Sequence, residues 1–147
     1  MPSIVALDIE TTGLNPQIDE IIEIGAVRFN GHRIEDKWHT LVSPKKPIPP
    51  FITQLTGITN EMVHNATPLS DALQTIADFV GDSPIVGHNI AFDLSFLQRH
   101  NILRMNDIID TYELAAVLLP TASRYNLGAL AQQLTCLLYT SPSPRDS

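Results

Sequence analysis

The chain has 147 residues, of which 44% are apolar and 17% are charged, which is enough for one globular domain with a buried core. Its net charge of -7 argues against a protein that holds nucleic acid by a broad basic surface, and no apolar run approaches the roughly 20 residues needed to span a bilayer. The single cysteine, Cys136, cannot form an internal disulfide, and the first residues lack the features of a signal peptide, so we predict a cytoplasmic protein with no membrane contact.

The N-terminal part of the chain predicts three strands. The apolar run 4–13 forms the first and the β-branched run Ile21 to Phe29 the second. Asn30-Gly31 then follows, which is a strong hairpin signal, so residues 37–42 should return antiparallel as the third strand.

A proline-rich connection and two short helices come next. Four prolines in the segment 43–50 predict an extended backbone. The segment 51–55 predicts a short helix that Gly57 ends, and Thr59 is a plausible N-cap for another.

Helices and strands alternate in the second half. The spacing of apolar residues predicts helices over 70–80 (with Ser70 as N-cap), 92–99, 110–119 (capped by the Asp110-Thr111 pair) and 127–134, and strands over 84–88 and 108–109. A meander followed by this alternation predicts an α/β domain: a mixed sheet containing an antiparallel three-strand meander, with helices on both faces.

The last residues do not continue this pattern. Residues 135–147 are rich in serine and proline, which is typical of a disordered tail. We therefore assign the domain to residues 1–134, and we expect the tail to be foreign to the fold, with the natural chain differing after about Leu134.

Asp8 and Glu10 are the first candidate functional residues. In a strand, side chains at i and i+2 point to the same face, so these two carboxylates should stand side by side within an apolar run. Burying such a pair is costly unless a proton, a basic side chain or a metal cation compensates it. A Mg²⁺ site is the functional interpretation; two solvated acids on an edge strand are the alternative.

A further acid, Asp93, follows a predicted strand in the segment His88-Asn89-Ile90-Ala91-Phe92-Asp93. Asp93 should lie in the first turns of a helix and point back towards the strand ends. Asp93 and Asn89 could instead only complement the helix N-terminus, and His88 and Phe92 could be structural.

Three segments together resemble a known family. D-I-E-T-T-G at 8–13, L-T-G-I-T at 55–59 and H-N-I-A-F-D at 88–93 are similar in order and spacing to the first two motifs, and the segment between them, of the DEDDh (DnaQ-like) 3′-5′ exonucleases. The resemblance runs from about Ile4 to Leu134. It is greatest to exonuclease domains fused to DinG-type helicases, followed by the proofreading exonucleases of DNA polymerase III.

The resemblance implies a ribonuclease H-like fold and a hydrolase of DNA replication or repair that releases nucleotides from DNA 3′ ends. Asp8, Glu10 and Asp93 match the family's acids that hold two divalent cations, Mg²⁺ or Mn²⁺. A further set matches positions near the terminal nucleotides: Thr11, Thr12, Gly13, Leu14, Ile58, Thr59, His88, Asn89 and Phe92. Of these, Leu14, Ile58 and Phe92 would hold bases by apolar contact and stacking.

The third motif of this family has no counterpart here. It is a histidine followed five residues later by a fourth acid, but no histidine occurs after His100 and the later acids are Asp107, Asp110, Glu113 and Asp146. Without that general base and ligand, we expect this chain to be a weak or inactive fragment of an exonuclease.

Two alternatives stay open at this point. The chain could be a non-catalytic nucleic-acid or partner-binding module with the same fold, in which case the missing motif is natural. It could also be an RNA-processing exonuclease, oligoribonuclease-like or RNase T-like, because Asp8 and Glu10 would serve either sugar. A fused helicase or polymerase partner is implied by the resemblance alone.

Overall fold

The computed structural model describes residues 3–31 and 33–111, which contain a five-stranded mixed sheet. The strands are β1 (Ile4–Thr11), β2 (Ile21–Asn30), β3 (Arg33–Leu41), β4 (Ile85–Gly87) and β5 (Ile108–Asp110). Their order across the sheet is β3-β2-β1-β4-β5. β1, β2 and β3 form an antiparallel meander, whereas β4 is parallel to β1 and β5 is parallel to β4. The predicted mixed sheet with its meander is therefore confirmed.

The hairpin between β2 and β3 is tighter than expected. Asn30 pairs with Arg33, and Gly31 lies between them with a positive φ of 61°. Such a short turn brings the chain into the ladder at once, so the predicted start of the third strand at Lys37 was wrong by four residues. The exposed, charged beginning of β3 is typical of an edge strand and lacks the apolar pattern that marks a strand in the sequence.

Four helices lie between and after these strands: α1 (Pro50–Thr56), α2 (Asn60–Val63), α3 (Leu69–Val80) and α4 (Ile90–Gln98). Pro50 suits the first turn of α1 because it has no N–H to satisfy there, and Gly57 ends the helix in the left-handed region at φ 80°. Thr59 caps α2 as predicted, since its Oγ1 accepts the N–H of Met62 at 3.2 Å.

Two of the predicted helix starts were wrong. α3 begins at Leu69, with Pro68 rather than Ser70 in the capping position. α4 begins at Ile90, two residues before Phe92. The helices predicted after Asp110 and the tail at 135–147 lie outside the described residues, apart from Thr111. The prediction that helices also pack on the second face of the sheet likewise falls on residues outside the described ones.

α3 and α4 pack against one face of the sheet. Their buried side chains contact the alternate β1 residues Val5, Leu7 and Ile9. Ile4 and Ala6 belong to a separate cluster with Phe29 and Val86, so they point to the opposite face. Asp8 and Glu10 share the parity of Ile4 and Ala6 and therefore belong to that second face. No helix among the described residues is long and apolar enough to cross a membrane.

Candidate active site

β1 presents Asp8 and Glu10 on one face near its carboxyl end. Asp8 is exposed, Glu10 is half-buried, and Ile9 between them is buried against α3 and α4. The apolar side chains of β1 thus anchor the strand in the core, while the two acids project from its other side.

α4 brings Asp93 to this strand. β4 runs parallel to β1, and the chain turns at its end into α4, whose first turns carry Asp93. Gly87 allows the close approach, because a Cβ there would lie 2.7 Å from the carbonyl oxygen of Leu7. The Oδ2 atom of Asp93 accepts the backbone N–H of Ile9 at 3.1 Å, in the interval between Asp8 and Glu10. This bond places the Asp93 carboxylate beside the part of β1 that carries Asp8 and Glu10.

The three carboxylates are electrostatically coupled. Burial raises the pKa of Asp93 to about 8, and the charges of Asp8 and Glu10 add to this, whereas the bond from Ile9 opposes it. Burial also raises the pKa of Glu10 to about 7, with a further contribution from Asp8. Neighbouring protein atoms reduce the hydration of Asp8 although it reaches the surface, so its pKa is raised as well, and the imidazole of His88 partly offsets this. If all three carboxyl groups were ionised, the surrounding protein would not compensate their negative charge.

Glu23 is a member of this cluster that the sequence analysis missed. It lies opposite Glu10 in the β1–β2 ladder, so its side chain points to the same face, and it raises the pKa of both Asp8 and Glu10. His39 on β3 contacts the Glu23 carboxylate. In the sequence, Glu23 was marked only as an acid within the apolar run Ile21 to Phe29. Its position next to Glu10 follows from the pairing of β1 with β2, which the sequence does not specify.

The donor set suits a hard cation. Carboxylate oxygens are the ligands that Mg²⁺ and Mn²⁺ prefer, and a divalent cation would relieve the repulsion that raises these pKa values. As the side chains stand, no three ligand-type residues within 3–31 and 33–111 are arranged to hold a metal ion. The chemistry of the acids therefore fits a metal centre whose coordination is not preformed in the described part of the chain.

The loop after β1 is braced from within. Thr11 Oγ1 donates to the carbonyl of Gly13 at 2.7 Å. Thr12 donates its N–H to the carbonyl of Glu20 and accepts the N–H of Glu20 through Oγ1, at 2.8 and 2.9 Å. At Gly13 a Cβ would lie only 2.5 Å from the carboxyl carbon of Asp19. Leu14, which follows, is 84% exposed and is free to contact a ligand.

The L-T-G-I-T segment lies in a separate part of the core. Ile58 is only 3% exposed and packs with Ile22, Ile48 and Ile52, so its side chain does not reach the surface as it stands. The Thr59 side chain is occupied as the α2 cap.

The remaining candidates surround the start of α4. Asn89 is exposed and adopts a left-handed conformation, φ 53° and ψ 46°, and His88 before it is partly exposed. Phe92 is half-buried, and the centroid of its ring lies 5.1 Å from the centroid of the Phe96 ring. Of these side chains, Asn89 is the most accessible to a ligand.

Comparison with known proteins assigns this fold to a family. A family model described as Exonuclease, of the RNase T type, matches residues 5–136. The PolC-type DNA polymerase III of Latilactobacillus sakei is 39% identical in an alignment of 134 residues that covers 88% of this chain and 9% of that protein. The chain therefore spans about a tenth of the length of this relative. The predicted similarity to DinG-type helicases stays a prediction.

Two solved structures agree with this assignment. Product-bound exonuclease I has a TM-score of 0.70 at 18% identity, covering 84% of this chain and 34% of that chain. Exonuclease X in complex with 5′ overhanging duplex DNA has a TM-score of 0.64 at 29% identity, covering 89% of this chain and 72% of that chain. This chain belongs to the exonuclease family and has its ribonuclease H-like fold.

Proposed function

We propose that this chain is a metal-dependent 3′-5′ exonuclease domain that releases nucleotides from DNA 3′ ends. One observation carries the proposal: the Asp93 carboxylate accepts the N–H of Ile9, between the two acids of β1, and the carboxylates raise one another's pKa. Carboxylates this close repel one another, and a bound cation would offset that repulsion.

Asp8, Glu10 and Asp93 would hold two divalent cations, Mg²⁺ or Mn²⁺. Bound there, such ions would supply activation of water and stabilisation of the charge that develops on a phosphodiester. Without an ion, Asp93 is largely protonated and Glu10 is about half protonated near pH 7, so both must give up protons to act as ligands. Occupancy should therefore increase with pH between about 6 and 8.

The residues around the acids would bind the terminal nucleotides. The braced backbone of Thr11, Thr12 and Gly13 offers a rigid surface, and the exposed Leu14 offers an apolar contact that accepts any base. His88, Asn89 and Phe92 would contact the substrate from the start of α4. Ile58 and Thr59 have weaker support, because one is buried and the other caps α2.

DNA is the favoured substrate. The relative from L. sakei is a DNA polymerase, and exonuclease X was solved with DNA. The first of these supports a proposed role in DNA replication, with a polymerase as the proposed partner. A helicase partner and a cytoplasmic location are predictions from sequence. RNA cleavage is the alternative, since the acids do not distinguish the sugars.

The missing third motif limits the expected rate. General-base assistance typically contributes about 10² to 10⁴ in rate, and the chain has no histidine after His100 to supply it there. We expect slow turnover, whereas a non-catalytic module would bind DNA without any release of nucleotides.

The test uses a single strand labelled at its 3′ end, with Mg²⁺ or Mn²⁺ and with a chelator. We expect metal-dependent release of labelled mononucleotide, which Asp8→Asn abolishes and the exposed α3 variant Asp71→Asn leaves intact. A 5′ label should stay on a shortened strand, and an RNA strand of the same sequence tests the alternative. Metal-dependent DNA binding without release, in wild type, would favour the non-catalytic module.

A further inference from the structure

The start of α4 depends on a residue in an unfavourable conformation. Asn89 lies between β4 and α4 in the left-handed region, and its side chain makes no capping hydrogen bond to the helix. Asparagine tolerates this conformation better than most residues, but it still costs about 1 kcal/mol or more relative to an ordinary backbone. A contact outside the turn must therefore help to hold it.

Asp110 supplies such a contact. It is the last residue of β5 and lies opposite Gly87 in the parallel β4–β5 ladder. Its Oδ1 atom accepts the backbone N–H of Asn89 at 3.0 Å. This bond joins the turn to the edge of the sheet, and it needs only an oxygen acceptor at that position.

The same helix turn is held from the other side by Asp93. Asn89 and Asp93 are four residues apart, one helical turn, and the carbonyl of Asn89 accepts the N–H of Phe92 at 3.1 Å within that turn. Asp93 in turn reaches Ile9 on β1. The first turn of α4 is therefore bonded to two strands. Asn89 bonds to Asp110 of β5, and Asp93 bonds to Ile9 of β1.

We propose that Asp110 is a positioning residue for Asp93: its bond to Asn89 fixes the first turn of α4 so that the Asp93 carboxylate lies beside β1. This rests on the proposed function, in which Asp93 is a metal ligand. Because cation–oxygen distances span only about 2.0 to 2.6 Å, a shift of the helix start by a fraction of an ångström would weaken the site. In this proposal Asp110 acts through Asn89 and is not itself a ligand, although its charge also raises the pKa of Asp93.

A pair of substitutions separates this role from direct ligation. Asp110→Asn keeps a short oxygen acceptor but removes the charge, whereas Asp110→Glu keeps the charge but moves the carboxylate outward by one methylene. A positioning residue should tolerate Asn and not Glu; a direct ligand should show the reverse. Asp110→Ala removes both properties.

The measurement is Mn²⁺ affinity by calorimetry, with the melting temperature of each variant recorded alongside. We expect Asp110→Ala and Asp110→Glu to weaken Mn²⁺ binding about 10-fold, the loss typical of residues that support a ligand, and Asp110→Asn to weaken it only slightly. Asp107→Ala, an exposed acid just before β5, should leave it unchanged.

Three results bear on the interpretation. Weaker binding in Asp110→Asn than in Asp110→Glu would overturn the positioning role in favour of direct ligation. Unchanged Mn²⁺ affinity in both Asp110→Asn and Asp110→Glu, with or without a change of melting temperature, would also overturn the positioning role. Asp110 would then be a structural residue only. Unchanged Mn²⁺ binding in Asp93→Asn would instead contradict the proposed function. If Asp110→Ala does not fold, the Asn and Glu variants still decide.

Discussion

At the scale of single residues, the fold destabilises the ionised forms of the carboxylates that it brings close together. Asp93 is 5% exposed, yet its one described hydrogen bond, from Ile9, does not compensate for burial and for the neighbouring acids. The protonated form is therefore favoured in the folded protein without metal.

The stability of the metal-free protein should consequently fall as the pH rises. Folding raises the pKa of Glu10 from 4.5 to about 7 and that of Asp93 from 3.8 to about 8, so the folded state binds more protons than the unfolded state between these values. The resulting stabilisation is complete below about pH 4 and is lost as the pH rises through about 7 to 8. We expect the melting temperature in chelator to fall between pH 5 and 8.5, and to fall less in Asp93→Asn.

Asp107→Asn, at an exposed acid, is the control and should follow wild type. A pH dependence that is the same in wild type and in Asp93→Asn would mean that Asp93 does not carry the raised pKa.

Glu23 should contribute to the raised pKa of Glu10 across the β1–β2 ladder. Glu23→Gln removes a like charge and keeps the shape of the side chain, so the Glu10 carboxyl should titrate at a lower pH. Carboxyl-carbon NMR shifts measure this directly. Glu61→Gln, an exposed acid on α2, should leave the titration of Glu10 unchanged; equal titrations in wild type and in Glu23→Gln would remove Glu23 from the cluster.

At the scale of elements, the position of α4 depends on how closely the end of β4 approaches β1. A Cβ at Gly87 would lie 2.7 Å from both the Leu7 carbonyl oxygen and the Ile90 Cδ1 atom, and the backbone oxygen cannot move away. At Gly25, in contrast, a Cβ would meet its nearest described atoms at 3.9 Å or more.

Alanine at these two glycines should therefore have unequal effects. We expect Gly87→Ala to lower the free energy of unfolding by about 1 to 3 kcal/mol, the usual cost of overpacking, and Gly25→Ala to change it little. Urea denaturation gives both values. Equal values for the two variants would show that α4 and β1 can separate to accept a side chain at residue 87.

Local patterns in the sequence were sufficient for elements with strong chemical signals. Gly57 ends α1 and Thr59 caps α2 as predicted. Asp8 and Glu10 lie on one face of β1, as their spacing predicted. The start of β3 was missed because its exposed, charged residues do not alternate in polarity. Glu23 was missed because its position depends on pairing between strands, which no local pattern specifies.

At the scale of the whole molecule, the net charge of -7 opposes the approach of DNA, so contact should depend on bound cations. We expect a fluorescent single strand with a free 3′ end to bind weakly in chelator and more tightly with Mn²⁺, as read by anisotropy. In Asp8→Asn the effect of Mn²⁺ should be largely lost. Equally tight binding in chelator would indicate a DNA surface elsewhere on the protein.

The most direct test of the three-carboxylate centre is a Mn²⁺ titration at pH 8, where most of the Glu10 population is ionised. Wild type and Asp107→Asn should bind Mn²⁺ with the same affinity. Asp8→Asn, Glu10→Gln and Asp93→Asn should each weaken binding by more than about 10-fold, because each removes a ligand. Identical Mn²⁺ binding by wild type and by all three variants would contradict a shared metal centre at Asp8, Glu10 and Asp93.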